Sequence, residues 1–314
     1  MPENMIIQKY DKKNHSIWNN FLKNTKNGTF LFNRDYMDYH SDRFDDNSLM
    51  IYDSNKTLIA LFPSSIHKDE LRSHGGLTYG GFITDRRIRT EKMLSIFESL
   101  INYSKEEKIK KITYKPIPYI YHIMPSQEDL YSLYRFGFKL SGRDVSSTIN
   151  MRTSEVKGQK RNGAKKAAKA GMRIVKTNDS KNIFKIINDN LVEKYGVSAV
   201  HSSDEMNLLK NKFKENIHIY ELVLNENVVG GAILYIDNNV VHAQYVTTSI
   251  EAKKNRGLDF MIVSFIDKYK EQYEWFDFGT STENNGNTLN TALIKSKEEF
   301  NLSSVCYDIY ELEV

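Results

Sequence analysis

Two residues able to move a proton lie in apolar strand-like runs in the second half of the sequence. Asp277 sits in Trp275-Phe276-Asp277-Phe278-Gly279, where burial would raise a carboxyl pKa toward that of a useful base. The same position suits a structural carboxylate that binds backbone N–H groups, so both roles stay open. His242 lies in the run 240–246, VVHAQYV, and is expected as a sheet histidine with satisfied ring nitrogens. In the first half, His74 and Tyr79 belong to HGGLTYGG, where four glycines in seven residues let backbone approach a ligand without Cβ hindrance. That cluster lacks the Lys-Ser/Thr ending of a P-loop and the spacing of a dinucleotide fingerprint. It is expected as a bulged strand, with His74 or Tyr79 lining a substrate site. The eight histidines are scattered with no HExxH, so no metal is expected. No Gly-x-Ser-x-Gly elbow or Cys–His pairing suggests a covalent nucleophile. The single cysteine, Cys306, is expected as a buried thiol in a closing strand.

The elements that must position these residues follow from periodicity. In the first half, 56–64 and 145–151 predict strands around a helix over 89–107, a short strand at 111–114 and a short helix over 127–136. The second half repeats that order. Residues 228–236 and 240–247 predict a hairpin about Asp237-Asn238-Asn239. A helix over 257–272, a strand at 275–278, a helix over 289–300 and a closing strand at 304–312 follow. Two further amphipathic helices, 180–195 and 204–216, precede the hairpin. Both halves therefore read β-β-α-β-α-β, the alternation that builds a mixed sheet covered by helices. Between them lies a basic stretch, 157–173, with seven Lys and Arg and no acid. On a helix it aligns Arg161, Lys165 and Lys169 on one face, opposite a slim face of Ala164, Ala167, Ala168 and Gly171. The expected domains are 1–152 and 153–314, the second opened by this helix.

Composition sets the bounds. With 314 residues, two medium domains each bury a core. No run approaches the roughly 20 apolar residues that cross a bilayer. The amino end has no apolar h-region, and one cysteine forbids an internal disulfide, so a cytoplasmic location is expected. Forty-four basic against forty acidic residues give a net charge of +4, which does not select DNA as a partner.

The order of elements in the second half resembles the GNAT acyltransferase fold, in which acyl-CoA lies in a notch between two strands. Its pyrophosphate meets the start of the following helix, where unpaired N–H groups favour anions. The matching segment is Lys254-Asn255-Arg256-Gly257-Leu258-Asp259, similar to the pattern Gln/Arg-x-x-Gly-x-Gly/Ala but with Asp259 in place of the last small residue. The resemblance makes Lys254, Asn255, Arg256 and Gly257 the expected acyl-CoA contacts, with Asp259 expected to repel the pyrophosphate. Two such units in tandem resemble the FemABX family, whose members transfer an aminoacyl group from aminoacyl-tRNA to a cell-wall precursor. Phe30-Leu31-Phe32-Asn33-Arg34-Asp35-Tyr36 is similar to the family's early aromatic segment. Residues 159–171 are similar to its basic linker helix, and WFDFG followed by Lys297-Glu298-Glu299-Phe300-Asn301 is similar to its closing segment.

This resemblance implies an α/β fold, a mixed sheet in two tandem GNAT-like units, and a reaction centre at Lys297. It also implies substrate contacts from Arg34, Tyr36 and, in a loop after a helix, Tyr195 beside His201. Acyl transfer to an amine needs a base, a steadied oxyanion and an acid for the leaving group. The candidates at the strand ends are His242, Gln244, Tyr245, Asp277, Glu283, Lys297 and Asp308, with Lys297, Asp277 and Tyr245 expected as catalytic and Gln244 as substrate-binding. No heptad run builds the family's coiled-coil arm. The implied function is therefore an N-acetyltransferase-like transfer of an acyl group, from acetyl-CoA or another acyl-CoA, to an amine of a cell-envelope or surface-polysaccharide precursor. Aminoacyl-tRNA is the alternative donor, in a FemX-type peptidoglycan amino-acid transferase. A non-catalytic module holding a glycan carrier is the third alternative. A lipid- or nucleotide-linked sugar acceptor and peripheral contact with a membrane complete the expected partners.

Overall fold

A computed structural model describes residues 5–195, 199 and 201–314; the side chains of His40 and of residues 193–195 lie outside the description. The chain forms two compact units: Met1–Val145 with Thr282–Leu289 and Cys306–Val314, and Ser146–Ser281 with Asn290–Val305. Both are mixed α/β, as the alternation of elements predicts.

In the first unit, Ile6–Lys9, Leu49–Tyr52, Leu58–Phe62 and Ile83–Thr84 pair antiparallel in that order. A second set joins Asp45–Asp46, Ser64–His67, Glu70–Ser73 and Lys111–Tyr114, closed by residues 310–313 beside 111–114. The strand expected over 56–64 is thus two strands broken at Pro63, because proline cannot donate to a ladder. Helix Thr90–Glu106 buries Met93, Ile96, Phe97 and Leu100. Phe97 meets Phe82 with ring centroids 5.2 Å apart, and Phe82 meets Phe62 at 4.8 Å. The glycine cluster is not a bulged strand. It is a loop held by turns, with Leu77 N donating to His74 O and Gly76 N to His74 Nδ1. Gly81 has φ +79°, and a Cβ there would stand 2.8 Å from the Tyr114 hydroxyl. That hydroxyl accepts from Phe82 N at 2.8 Å and donates to Asp129 at 2.9 Å. Burial pushes the Asp129 carboxyl up to about 6.

The second unit is built on a mixed sheet. Arg173–Thr177, Ile217–Leu224, Asn227–Asp237 and Val240–Thr248 pair antiparallel in that order. Trp275–Thr280 lies parallel to Val240–Thr248, and residues 146–150 pair antiparallel on its other side. One face carries helices Gly158–Lys169 and Gly257–Tyr269, which share a core of Ala164, Ala167, Leu222, Ala232, Met261, Phe265 and Phe276. The basic helix therefore packs through Gly163, Ala164 and Ala167, leaving Ala168 exposed. Its charge is also partly consumed. Lys160 is buried and pairs with Asp259 at 3.2 Å and Glu299 at 2.9 Å, while Arg161 is bonded to Asp267. Lys165, Lys166 and Lys169 remain exposed, a shorter stripe than the spacing predicts.

Candidate active site

The second unit's sheet opens where Val240–Thr248 and Trp275–Thr280 part. They pair over three positions only, Val240 with Trp275, Val241 with Phe276 and His242 with Asp277. Beyond that rung each strand is bent by its own irregularity. Ala243 and Tyr245 face consecutive residues of the neighbouring strand, so Gln244 is the extra residue of a bulge. On the other prong the register slips between Asp277 and Thr280, where Gly279 takes φ +78°. Parallel strands that stop pairing leave a fork between them.

At the root of the fork, the His242 Nδ1 and Asp277 Oδ2 atoms lie 2.9 Å apart. Asp277 is fully buried and also accepts from Ser146 Oγ at 2.5 Å and Gly279 N at 3.0 Å. A carboxylate partner fixes the proton on Nδ1, which leaves the Nε2 lone pair as the basic atom of the ring. The His242 side chain is 21% exposed, and its Cε1 faces Gly279, which has no Cβ to cover it. Lys297, from helix Thr291–Glu298, donates to Gly279 O at 2.7 Å and Thr280 O at 2.9 Å. Burial lowers its ammonium to about 8, against an opposing pull from Asp277. Asn290 caps that helix by accepting from Leu293 N. Asp277 and Lys297, both expected from the sequence, thus stand together, and His242 and Ser146 join them. The pairing of His242 with Asp277 was legible in principle. Each is the third residue of its strand, and a parallel register starting at Val240 and Trp275 places them side by side.

Tyr245 lies further along the same prong. Its hydroxyl is 2.7 Å from His201 Nδ1, its ring packs on Phe184, and burial raises its pKa. The side chain of Tyr195 lies outside the described residues. After Thr248 the chain turns through Ile250–Lys254, capped by Ser249, into helix Gly257–Tyr269. The first helical bond there runs from Phe260 N to Arg256 O, so the Gly257, Leu258 and Asp259 amides form the helix's open first turn. Lys254 and Arg256 are exposed, and Asn255 donates to Glu251 O. Gly257 is required by close packing, since a Cβ would stand 2.8 Å from Leu222 and 3.0 Å from Ala252 O. Asp259 does not face outward as expected. Its buried carboxylate is turned toward Gly163 and held by Lys160 and by Arg256 at 3.4 Å, so its charge is neutralised inside the helix seam.

Other expected residues are placed in the first unit. Arg34 is buried, bonded to Asp38 and Asp46, with its guanidinium 3.8 Å above the Tyr10 ring. Tyr36 is buried between Phe30 and Tyr39. Tyr79 packs at a tilt against Tyr121, centroids 4.8 Å apart, and against Tyr307, and His74 packs on Phe44. Asp308 holds Arg143 at 2.6 Å, and Glu283 pairs in a short ladder with Thr288, both within the first unit. Cys306 is exposed, contrary to expectation, because alternation along its strand buries Val305 and Tyr307 and turns Cys306 to the opposite face. A polar hollow of about 790 Å³ lies at the opposite end of the second unit's sheet, lined by residues such as Arg152, Lys157 and Lys270, and holds none of the expected site residues. Among the described residues, no group of three His, Cys, Asp or Glu stands ready for a metal. No described helix is long and apolar enough to cross a membrane.

No protein-family model matches the chain, and no curated protein matches it. Solved structures do. FemX is similar over 98% of this chain and 97% of its own, with TM-score 0.69 and 10% identity. L-PGS from Bacillus licheniformis is similar over 87% and 90%, with TM-score 0.57 and 14% identity. A tandem GNAT protein of the clavulanic acid pathway, solved without AcCoA, is similar over 99% and 98%, with TM-score 0.52 and 8% identity. The chain has the FemX-like, tandem GNAT fold.

Proposed function

We propose that the protein is an acyltransferase that moves an acyl group from an acyl-CoA to a primary amine of a cell-envelope or surface-polysaccharide precursor. The observation that supports this is the fork with His242, Asp277 and Lys297 gathered at its root. An amine attacks a thioester only as the neutral base, so its ammonium form must first lose a proton. The His242 Nε2 takes that proton, and Asp277 steadies the resulting imidazolium. As the N–C bond forms, negative charge grows on the carbonyl oxygen. Lys297 has two N–H groups committed to Gly279 and Thr280, and its third is available to that oxyanion. The C–S bond then breaks, the new amide nitrogen releases its remaining extra proton to water, and the departing thiolate takes back the proton held on the His242 imidazolium. The acyl-CoA pyrophosphate belongs at the first turn of helix Gly257–Tyr269, where backbone amides and Lys254 favour anions. With Asp259 neutralised by Lys160, no net negative charge opposes it there.

Aminoacyl-tRNA is a second donor, favoured by the likeness to FemX and by exposed Lys165, Lys166 and Lys169. A thermal-shift titration with acetyl-CoA, with mass spectrometry for retained CoA, separates the two. Stabilisation that saturates with acetyl-CoA is expected. No shift at millimolar acetyl-CoA, together with RNase-sensitive transfer from charged tRNA, would replace the first donor with the second. Absence of transfer from either, with binding of a glycan carrier intact, would indicate a binding module.

A further inference from the structure

We propose that the face of the first unit carrying Tyr119, Ile123, Met124, Tyr131 and Tyr134 is a docking surface for an anionic lipid bilayer. This is independent of the acyl-transfer chemistry. Of fourteen exposed large apolar side chains among the described residues, these five fall within sixteen positions of the chain. Tyr134 is 79% exposed and Tyr131 47%. They stand three apart on helix Glu128–Arg135, which places them on one side of it. Tyr131 and Pro125, next to Met124, line the same shallow hollow of about 420 Å³ with Thr90, Gln127 and Glu128. Tyr131 and Tyr134 thus share one side of the helix with the hollow beside Tyr131, and exposed apolar side chains gathered in this way mark interaction sites.

The charges around it point to a negative partner. Glu128 and Asp129 are the only carboxylates between 115 and 140. Glu128 is bonded to the buried Lys26 ammonium at 2.5 Å, and Asp129 is buried against Tyr114. Arg135, on the same helix side as Tyr131, is exposed and faces solvent with Lys139. Arg86 and Arg89, beside Thr90 at the hollow, outnumber Glu91. A second copy is the weaker occupant, because a two-fold contact through this face would bring like-charged rims together. Tyrosine, with an apolar ring and a polar tip, suits the depth of lipid headgroups, and Ile123 and Met124 supply apolar area to bury beneath it.

Sedimentation of the full chain with vesicles tests this, using phosphatidylcholine alone and phosphatidylcholine mixed with phosphatidylglycerol. Binding to the mixed vesicles, weakening as salt rises, is the expected result. Tyr131→Ser with Tyr134→Ser should weaken it about tenfold. Arg135→Gln and Lys139→Gln should each cost about fivefold. All four side chains are exposed, and an unchanged melting temperature confirms that the variants fold. No binding to the anionic vesicles would overturn the proposal, as would binding that both sets of variants leave intact. Wild-type self-association that the tyrosine variant abolishes would assign the face to a second copy instead.

Discussion

His242 and Asp277 form the last rung of the parallel ladder between Val240–Thr248 and Trp275–Thr280, and their side chains are bonded to each other at 2.9 Å. One residue further, the strands part. The basic nitrogen is thus held by the final paired position of a rigid sheet while facing the opening that follows. His242→Ala should lower kcat about 10²–10⁴-fold with KM little changed. Added imidazole should restore part of the rate, which a purely structural histidine would not permit. Asp277→Asn should lower kcat without imidazole rescue, since a positioning carboxylate is not replaced by a free base. Steady-state kinetics with each variant decides this, and full activity in His242→Ala would remove the residue from the reaction.

Lys297 makes stability depend on pH with a predictable sign. Its folded pKa of about 8 lies below the ordinary lysine value. Below pH 8 both folded and unfolded states carry the ammonium, and the cost of burying that charge is fully present. Between pH 8 and 10.5 the folded state is neutral while the unfolded chain remains charged. Stability therefore rises with pH in that window, by about 3 kcal/mol at most. Urea titrations of wild type and Lys297→Met across pH 7–10.5 should show this rise only in the wild type. Parallel curves would mean that the ammonium is not desolvated.

Gly163→Ala should destabilise the second unit. A Cβ at that position collides with the Asp259 carboxylate, which Lys160 and Arg256 hold in place. Overpacking of this kind costs about 1–3 kcal/mol. Gly137→Ala, where a Cβ meets nothing within 4 Å but φ is +76°, is the control for backbone strain alone. Denaturant midpoints for the two variants measure the difference.

Arg34→Ala should lower stability rather than substrate affinity. The guanidinium is buried, bonded to Asp38 and Asp46, and stacked over Tyr10. Both carboxylates retain partial access to water, so the loss is about 2–3 kcal/mol rather than the full cost of breaking a buried pair. A KM that rises with an unchanged melting temperature would return Arg34 to the substrate site.

Helices such as Thr90–Glu106 and the hairpin Asn227–Asp237 with Val240–Thr248 were legible because each carries its own period and its own turn residues. Strands Leu49–Tyr52, Arg173–Thr177 and Ile217–Leu224 were not anticipated. The first is a short continuous apolar run without alternation, and the second pairs at an edge where burial imposes little pattern. Asp277 and Lys297 were accessible as residues, through an apolar setting and a family resemblance. Their geometry was not. Which carboxylate faces which base depends on register between strands thirty-five residues apart, and no local preference encodes that. Asp259 illustrates the same limit. Its position in the helix's first turn is local, but its neutralisation by Lys160 depends on two helices meeting a hundred residues apart in sequence.

Residues 310–313 pair with 111–114, in the first unit, although almost two hundred residues separate the partners. A nascent chain must therefore make the whole second unit before the first can complete this edge. During synthesis, Lys111–Tyr114 waits with one row of backbone groups unclaimed, an edge open to pairing with a neighbouring chain. A stop codon placed even before residue 310 would therefore damage the half of the molecule that was translated first.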